Sequence, residues 1–318
     1  MKRIISLSLI LMLMAWMCTA CSVEDNQETG KSKIVTTNFA EYDWVRNITG
    51  STEKFEITML GGGVDMHSYQ PTATDIITIS DCDMFVYVGG ESDTWVTDVL
   101  DGKRNENMEI ITLMEILGEN AKTEEHVEGM QEESEEESEE EYDEHVWLSL
   151  RNAVEFCNQI EKSLEKIDPD NKTVYESNLK SYTQKLSELD EKYTEAVKNA
   201  KTKTLMFGDR FPFRYMTDDY GLEYYAVFAG CSAETEASFE TITFLAHKAD
   251  ELTLNSVITI EGSDKKIAET IIENTKSKSQ KVLTLDSMQS VTMNDIENGE
   301  KYLSVMENNL SVLSQALN

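Results

Sequence analysis

Apolar positions in this chain switch repeatedly between a short β-branched or alternating pattern and a spacing of three and four. Ile34-Val35-Thr36-Thr37 is a β-branched run, and residues 55–60, 84–88 and 109–113 are further apolar runs of strand length. Helix-length segments lie between them, at about residues 40–49, 72–80 and 93–100. Gly61-Gly62-Gly63 and Gly89-Gly90 close two of the strands. Strands separated by helices predict a parallel sheet, because a parallel pair needs a crossover long enough to hold a helix.

A different pattern follows Asp168-Pro169-Asp170, a helix-start signal. From there to about Ala200 the chain has no glycine and no further proline. Leu179, Tyr182, Leu186, Leu189, Tyr193 and Val197 recur at spacings of three and four. A helix of about thirty residues is roughly 45 Å long and can join two halves of a protein. A second alternating set comes after it, with strands predicted at 204–207, 223–228, 256–260 and 281–285. Its helices are predicted near 214–220, 239–251, 265–274 and 295–316. The predicted fold is therefore α/β, two lobes with parallel-type sheets joined by a long central helix. The boundaries are a first lobe at 34–166, a connecting helix at 167–202 and a second lobe at 203–318.

The N-terminus carries a separate signal. Lys2 and Arg3 precede an apolar run from Ile4 to Trp16, too short to span a bilayer but suited to an export signal. Thr19 and Ala20 then precede Cys21, as small residues precede the acylated cysteine of a bacterial lipoprotein. The expectation is a signal peptide at 1–20, lipid attachment at Cys21, a polar tether at 21–33 and an extracytoplasmic, membrane-anchored protein. Cleavage at Ala20 without a lipid is the alternative. Cys82, Cys157 and Cys231 remain beyond that point, far apart and without a C-x-x-C pair, so neither a disulfide scaffold nor a zinc knuckle is indicated. Three buried thiols is the reading, with one disulfide left open.

The net charge is −32. Such a field repels nucleic acid and concentrates cations, although solubility alone also explains it. Much of the acidity falls in a low-complexity run from Glu124 to Glu144, predicted to be a disordered loop over 122–143. Its carboxylates, with His126 among them, suit weak gathering of hard cations or mere solvation.

Four histidines occur in the chain, and two sit in polar, motif-dense segments. His67 follows the triple glycine in Gly63-Val64-Asp65-Met66-His67-Ser68-Tyr69-Gln70-Pro71. His145 lies in Asp143-Glu144-His145-Val146-Trp147-Leu148-Ser149, where the acidic run ends. Neutral imidazole is the commonest side-chain ligand for zinc and related ions. His247 sits inside a predicted helix and reads as an exposed residue.

These two segments resemble the G-x-D-P-H-x-Y-E-P-T and D-P-H-x-W-L-S signatures of the substrate-binding lipoproteins of zinc and manganese ABC transporters. The resemblance covers essentially all of the chain beyond the leader, and its order includes a charged loop before the second motif. It implies that His67 and His145 are metal ligands. The family's third ligand falls in H-x-A-F-x-Y, or a glutamate replaces the histidine. Here the segment is Gly208-Asp209-Arg210-Phe211-Pro212-Phe213-Arg214-Tyr215, which aligns Arg210 with the ligand. Arginine has no lone pair to offer a metal. Asp209, or water with Arg210 nearby, is the substitute expected. Asp286, directly after a predicted strand, matches the family's last aspartate ligand, and a capping role is its alternative. Glu234 and Glu236 are expected on the wall of the same cleft.

The resemblance implies high-affinity capture of a divalent transition metal outside the cytoplasm and delivery to an ABC permease. Zn²⁺ is the first expectation and Mn²⁺ the second. No enzyme activity is expected, since no H-E-x-x-H and no clear general base is present. A metallohydrolase and a metal-stabilised surface adhesin are the rival classes.

Overall fold

The computed structural model describes residues 30–131, 141–232 and 236–318. Ser32–Asn318 forms one compact unit, built around two parallel four-stranded sheets among the described residues. The first sheet holds β1 (Ser32–Thr36), β2 (Phe55–Met59), β3 (Met84–Tyr87) and β4 (Glu109–Thr112) in the order β2-β1-β3-β4. Ile34 aligns with Ile57 on one side and Met84 on the other. The second sheet repeats the order as β6-β5-β7-β8, from β5 (Thr204–Arg210), β6 (Glu223–Phe228), β7 (Ser256–Ile260) and β8 (Lys281–Leu285). β7 is buried along its whole length, as a strand covered on both faces must be.

The helices of the first lobe are α1 (Phe39–Thr49), α2 (Ala73–Ser80), α3 (Trp95–Asp101) and α4 (Leu113–Leu117). Next come α5 (Leu150–Ile167) and the long α6 (Lys172–Lys198). The second lobe carries α7 (Arg214–Tyr220), α8 (Phe239–Glu251), α9 (Lys266–Asn274), α10 (Met293–Glu297) and α11 (Tyr302–Ala316). α1 starts at a reciprocal cap, in which Asn38 accepts from the Glu41 amide and Glu41 accepts from the Asn38 amide. At 27 residues, α6 is roughly 40 Å long. Its first half packs on the first lobe, where Tyr182 donates to Asp43 on α1 (3.1 Å). Near its far end Tyr193 donates to the Met306 carbonyl (2.7 Å) and stacks on Tyr220. One continuous apolar core therefore runs from Ile34 through α6 to Leu317. Two further bonds tie the lobes: Trp147 Nε1 donates to the Ser287 carbonyl (2.9 Å) and Tyr302 donates to the Trp147 carbonyl (2.7 Å).

The structure departs from the sequence reading at three places. The single helix expected at 295–316 is two, because Gly299 takes φ +102° between α10 and α11, a backbone region side chains avoid. β5 runs on through Gly208, Asp209 and Arg210, with a register shift between Phe207 and Arg210. The acidic segment is ordered at both ends. Thr123 bridges Tyr142, the Glu124 amide donates to the Glu141 carbonyl (2.8 Å), and the Gln131 amide reaches the Val227 carbonyl (2.8 Å). Apolar Val127 and Met130, packed on the core, anchor what charge density alone marks as unstructured. Residues 132–140 lie outside the described residues, as do Cys21, the leader and most of the tether. No helix among the described residues is long and apolar enough to cross a membrane.

Candidate metal centre

His67 sits in a 3₁₀ turn, Met66–Ser68, just after the loop that follows β2. Asp65 caps that turn, its Oδ1 accepting the His67 amide (3.1 Å). The other oxygen of Asp65 accepts a hydrogen bond from Arg210 Nη2 (2.6 Å), which fastens the loop to the end of β5. His145 is fully buried and precedes the 3₁₀ turn Val146–Leu148, whose three apolar side chains are all buried.

The two imidazoles meet edge to edge, with Nε2 to Nε2 at 3.3 Å. Each of the remaining ring nitrogens has its own partner. His145 Nδ1 donates to Asp143 Oδ1 (3.0 Å), and the same oxygen accepts the His145 amide (2.8 Å). His67 Nδ1 is hydrogen-bonded to Ser92 Oγ (2.8 Å), with Glu144 Oε2 at 3.7 Å. Partners on Nδ1 fix each ring and turn Nε2 toward the shared space, as in many metal-binding histidines. Glu144 reaches its place beneath Gly90, where φ is +105° and a Cβ would lie 2.4 Å from Glu144 Oε1. That oxygen accepts the Ser92 amide (2.9 Å), while Oε2 is buried without a hydrogen-bond partner.

The electrostatics of the pair are opposed. Burial depresses His67, and the neighbouring His145 and Arg210 charges depress it further, to about 3. Burial also works against a charge on His145, but Asp143, Glu124 and Glu144 outweigh it and hold His145 above the usual histidine value. A proton on His145 Nε2 can then bridge to His67 Nε2. A cation seated between the two nitrogens takes the place of that proton.

Among the described residues, one further donor completes a group of possible metal ligands here: the thiol of Cys231, after β6. The ligand atoms of His67, His145 and Cys231 all lie within 4.8 Å of one another. Asp209 and Asp286 are not part of this group. Asp209 is turned into its own sheet, accepting the Arg210 amide (2.9 Å) and the Ile260 amide (3.4 Å). Asp286 accepts the Met288 amide (2.7 Å), and burial followed by the charge of Glu261 pushes it up to about 6. Arg210 is engaged with Asp65, in keeping with its lack of a lone pair. On sequence grounds Cys231 reads only as a third thiol, and nothing in its spacing marks it. The signal available was its position in the short polar segment after β6, beside Glu234 and Glu236. Glu236 is exposed, and Glu234 lies outside the described residues.

A cavity of about 370 Å³ opens onto the group, lined by His67, Ser92 and Cys231 and by Glu91, Glu124, Glu141 and Glu144. Its carboxylates draw cations inward. Larger clefts beside Tyr42 and Arg46 and beside His126 and Tyr224 lie away from the histidines. The acidic group Glu161, Glu165 and Glu176 already holds Lys172, at 2.6 Å from Glu165 and 3.7 Å from Glu176. His247 is exposed on α8.

Two lobes thus carry like sheets, one long helix packs on both, and the imidazole pair lies where they meet. The chain belongs to the family described as ZnuA, zinc-uptake complex component A periplasmic, which it matches over residues 34–316. It is 33% identical over 313 residues to the zinc-binding lipoprotein AdcA of Streptococcus pneumoniae, covering 96% of this chain and 60% of that protein. The chain thus spans about three fifths of the length of that relative. The metal ABC transporter substrate-binding lipoprotein FimA of Streptococcus parasanguinis is 28% identical over 100% of this chain and 99% of its own length. Among solved structures, the Zn(II)-bound ZnuA-like domain of Streptococcus pneumoniae AdcA superposes with a TM-score of 0.70. That match has 29% identity and covers 91% of this chain and 99% of the domain.

Proposed function

We propose that this chain is the capture component of a metal importer. It binds a single divalent transition metal outside the cytoplasm, Zn²⁺ ahead of Mn²⁺, and hands it to an ABC permease. The observation that carries this reading is the His67–His145 pair, with Nε2 atoms 3.3 Å apart. Two ligands on a tetrahedral zinc ion at about 2.0–2.1 Å are separated by roughly that distance. The zinc-binding names of the AdcA relatives and their Zn(II)-bound structure support the choice of cargo. The lipoprotein names support attachment through Cys21, with residues 1–20 as export signal and 21–33 as tether. Binding suits two imidazoles whose outer nitrogens are committed to Asp143 and Ser92.

The ion would be held between the lobes. The continuous core along α6 argues for a modest adjustment on loading rather than a wide closing motion. Calorimetric titration of the full-length chain with Zn²⁺ and Mn²⁺, beside the His67→Ala variant, tests the proposal. Tight one-to-one binding of zinc, lost in His67→Ala, is expected. Failure to bind either ion would end the reading.

A further inference from the structure

The geometry points to Cys231 as the third metal ligand, giving a His₂Cys site that prefers thiophilic cations, Zn²⁺ over Mn²⁺. This rests on the metal-capture reading and adds the ligand that sets its selectivity.

Three observations converge. The Cys231 donor atom lies within 4.8 Å of both histidine nitrogens, and no other third donor among the described residues joins them. The turn bearing it is tied down from two directions. The Cys231 amide donates to Glu124 Oε1 (2.7 Å), and a Cβ on Gly230 would stand 2.9 Å from the Phe211 carbonyl oxygen and 3.3 Å from His145 Cε1. Thus the turn rests directly on the imidazole it would assist. Finally, the Cys231 thiol is in no disulfide, nor are those of Cys82 and Cys157, so among the described residues its one side-chain partner is Glu124, through a hydrogen bond.

On loading, the S–H bond of Cys231 breaks and its proton leaves to solvent, while a sulfur lone pair forms the bond to the metal. Zinc bonds sulfur at about 2.3 Å and imidazole at about 2.0–2.1 Å, which places such ligands roughly 3.3–3.6 Å apart around a tetrahedral ion. The three donor atoms already lie within 4.8 Å of one another, so an approach of about 1 Å closes the set, and a water or a nearby carboxylate can take the fourth position. Thiolate is a soft donor that strengthens the preference for zinc over manganese, which an oxygen ligand at the same place would weaken. Arg210, aligned with the usual third ligand, is thereby free to hold Asp65, and the donor moves from the end of β5 to the turn after β6.

The test uses the full-length chain with Co²⁺, Zn²⁺ and Mn²⁺, and the Cys231→Ser and His67→Ala variants. The expected result is a near-ultraviolet thiolate-to-cobalt charge-transfer band, lost in both variants. Loss in His67→Ala assigns the band to this site rather than to Cys18 or Cys21. Zn²⁺ affinity should fall at least about tenfold in Cys231→Ser, the lower bound for groups that merely support a ligand, with Mn²⁺ affinity little changed. The band needs no variant to fold, so its absence from the cobalt-loaded parent overturns Cys231 even if His67→Ala still abolishes binding. In that event the capture reading stands alone. If neither Co²⁺ nor Zn²⁺ binds the parent chain, both readings fall.

Discussion

Arg210 Nη2 lies 2.6 Å from Asp65 Oδ2, so the end of β5 in the second lobe is fastened to the loop that presents His67 in the first. Both side chains are about three-quarters buried. The same carboxylate caps the His67 turn with its other oxygen, which makes the pair a brace for a proposed ligand. Arg210→Ala leaves the largely buried Asp65 without its counter-ion, a loss of about 1–3 kcal/mol. The expected outcome is that much destabilisation in urea, with faster amide exchange confined to residues 65–69. Unchanged exchange there would show that the turn holds without the brace.

A second expectation concerns the partner that orients His145. Asp143 accepts from both the ring and the amide of His145, and Tyr215 secures the Asp143 carbonyl (3.0 Å). Asp143→Asn preserves shape but can present an amide N–H to Nδ1, favouring the tautomer with the proton on Nε2. Zn²⁺ affinity should fall about 10–100-fold, as it does when such supporting groups are replaced. Titration calorimetry on Asp143→Asn measures it. An unaltered affinity would mean that His145 is not a ligand or that Asp143 does not set its tautomer.

How much of this was legible in the sequence depends on how local the determining physics is. The β-branched runs and helix-spaced apolar positions located the described strands and most helices, because each pattern reports one element's own burial. His67 and His145 stand out as candidate ligands because each sits in a dense motif. Aligning Phe213 and Tyr215 with the resembled motif is what brings Arg210 to notice. Cys231 was not legible, because its proximity to His145 depends on the turn after β6 meeting a loop from the other lobe. Asp209 and Asp286 looked like ligands from their places after strands. In the fold the amides of Arg210 and Ile260 bond to Asp209 and the Met288 amide to one oxygen of Asp286, contacts that only the folded backbone reveals.

Trp147 couples the site to the body of the protein. Its ring lies 5.4 Å from that of His145, its Nε1 donates to the Ser287 carbonyl, and its own carbonyl accepts from Tyr302. Trp147→Ala removes a fully buried aromatic and should cost about 3–5 kcal/mol. Trp147→Phe keeps most of the volume and orphans only the Ser287 carbonyl, for about 1–3 kcal/mol. Denaturant melts of both variants should fall in that order. Equal losses would mean that the indole hydrogen bond, rather than packing, dominates.

Asp43 sets a pH dependence opposite to the common one. It lies on α1 against α6 with 8% of its surface exposed, accepting from Tyr182 (3.1 Å) and Asn47 (2.9 Å). Burial pushes its carboxyl up to about 6, despite the Tyr182 hydrogen bond and the Arg46 charge that oppose the rise. An unfolded aspartate titrates near 3.9. Between about pH 4 and pH 6 the folded chain therefore keeps a proton that the unfolded chain has released, and stability falls as pH rises through that window. By pH 7 the accumulated deficit is about 3 kcal/mol, at roughly 1.4 kcal/mol per pKa unit. Glu41 and Asp93 are also raised by burial and act in the same direction, so the parent's total slope does not isolate Asp43. The difference between Asp43→Asn and the parent does isolate it, because the neutral amide cannot titrate and its changed hydrogen bonds contribute a constant offset. That difference should favour the variant by about 2 kcal/mol more at pH 7 than at pH 4. Urea melts at the two pH values provide the comparison, and a difference independent of pH would place the Asp43 carboxyl at its ordinary value.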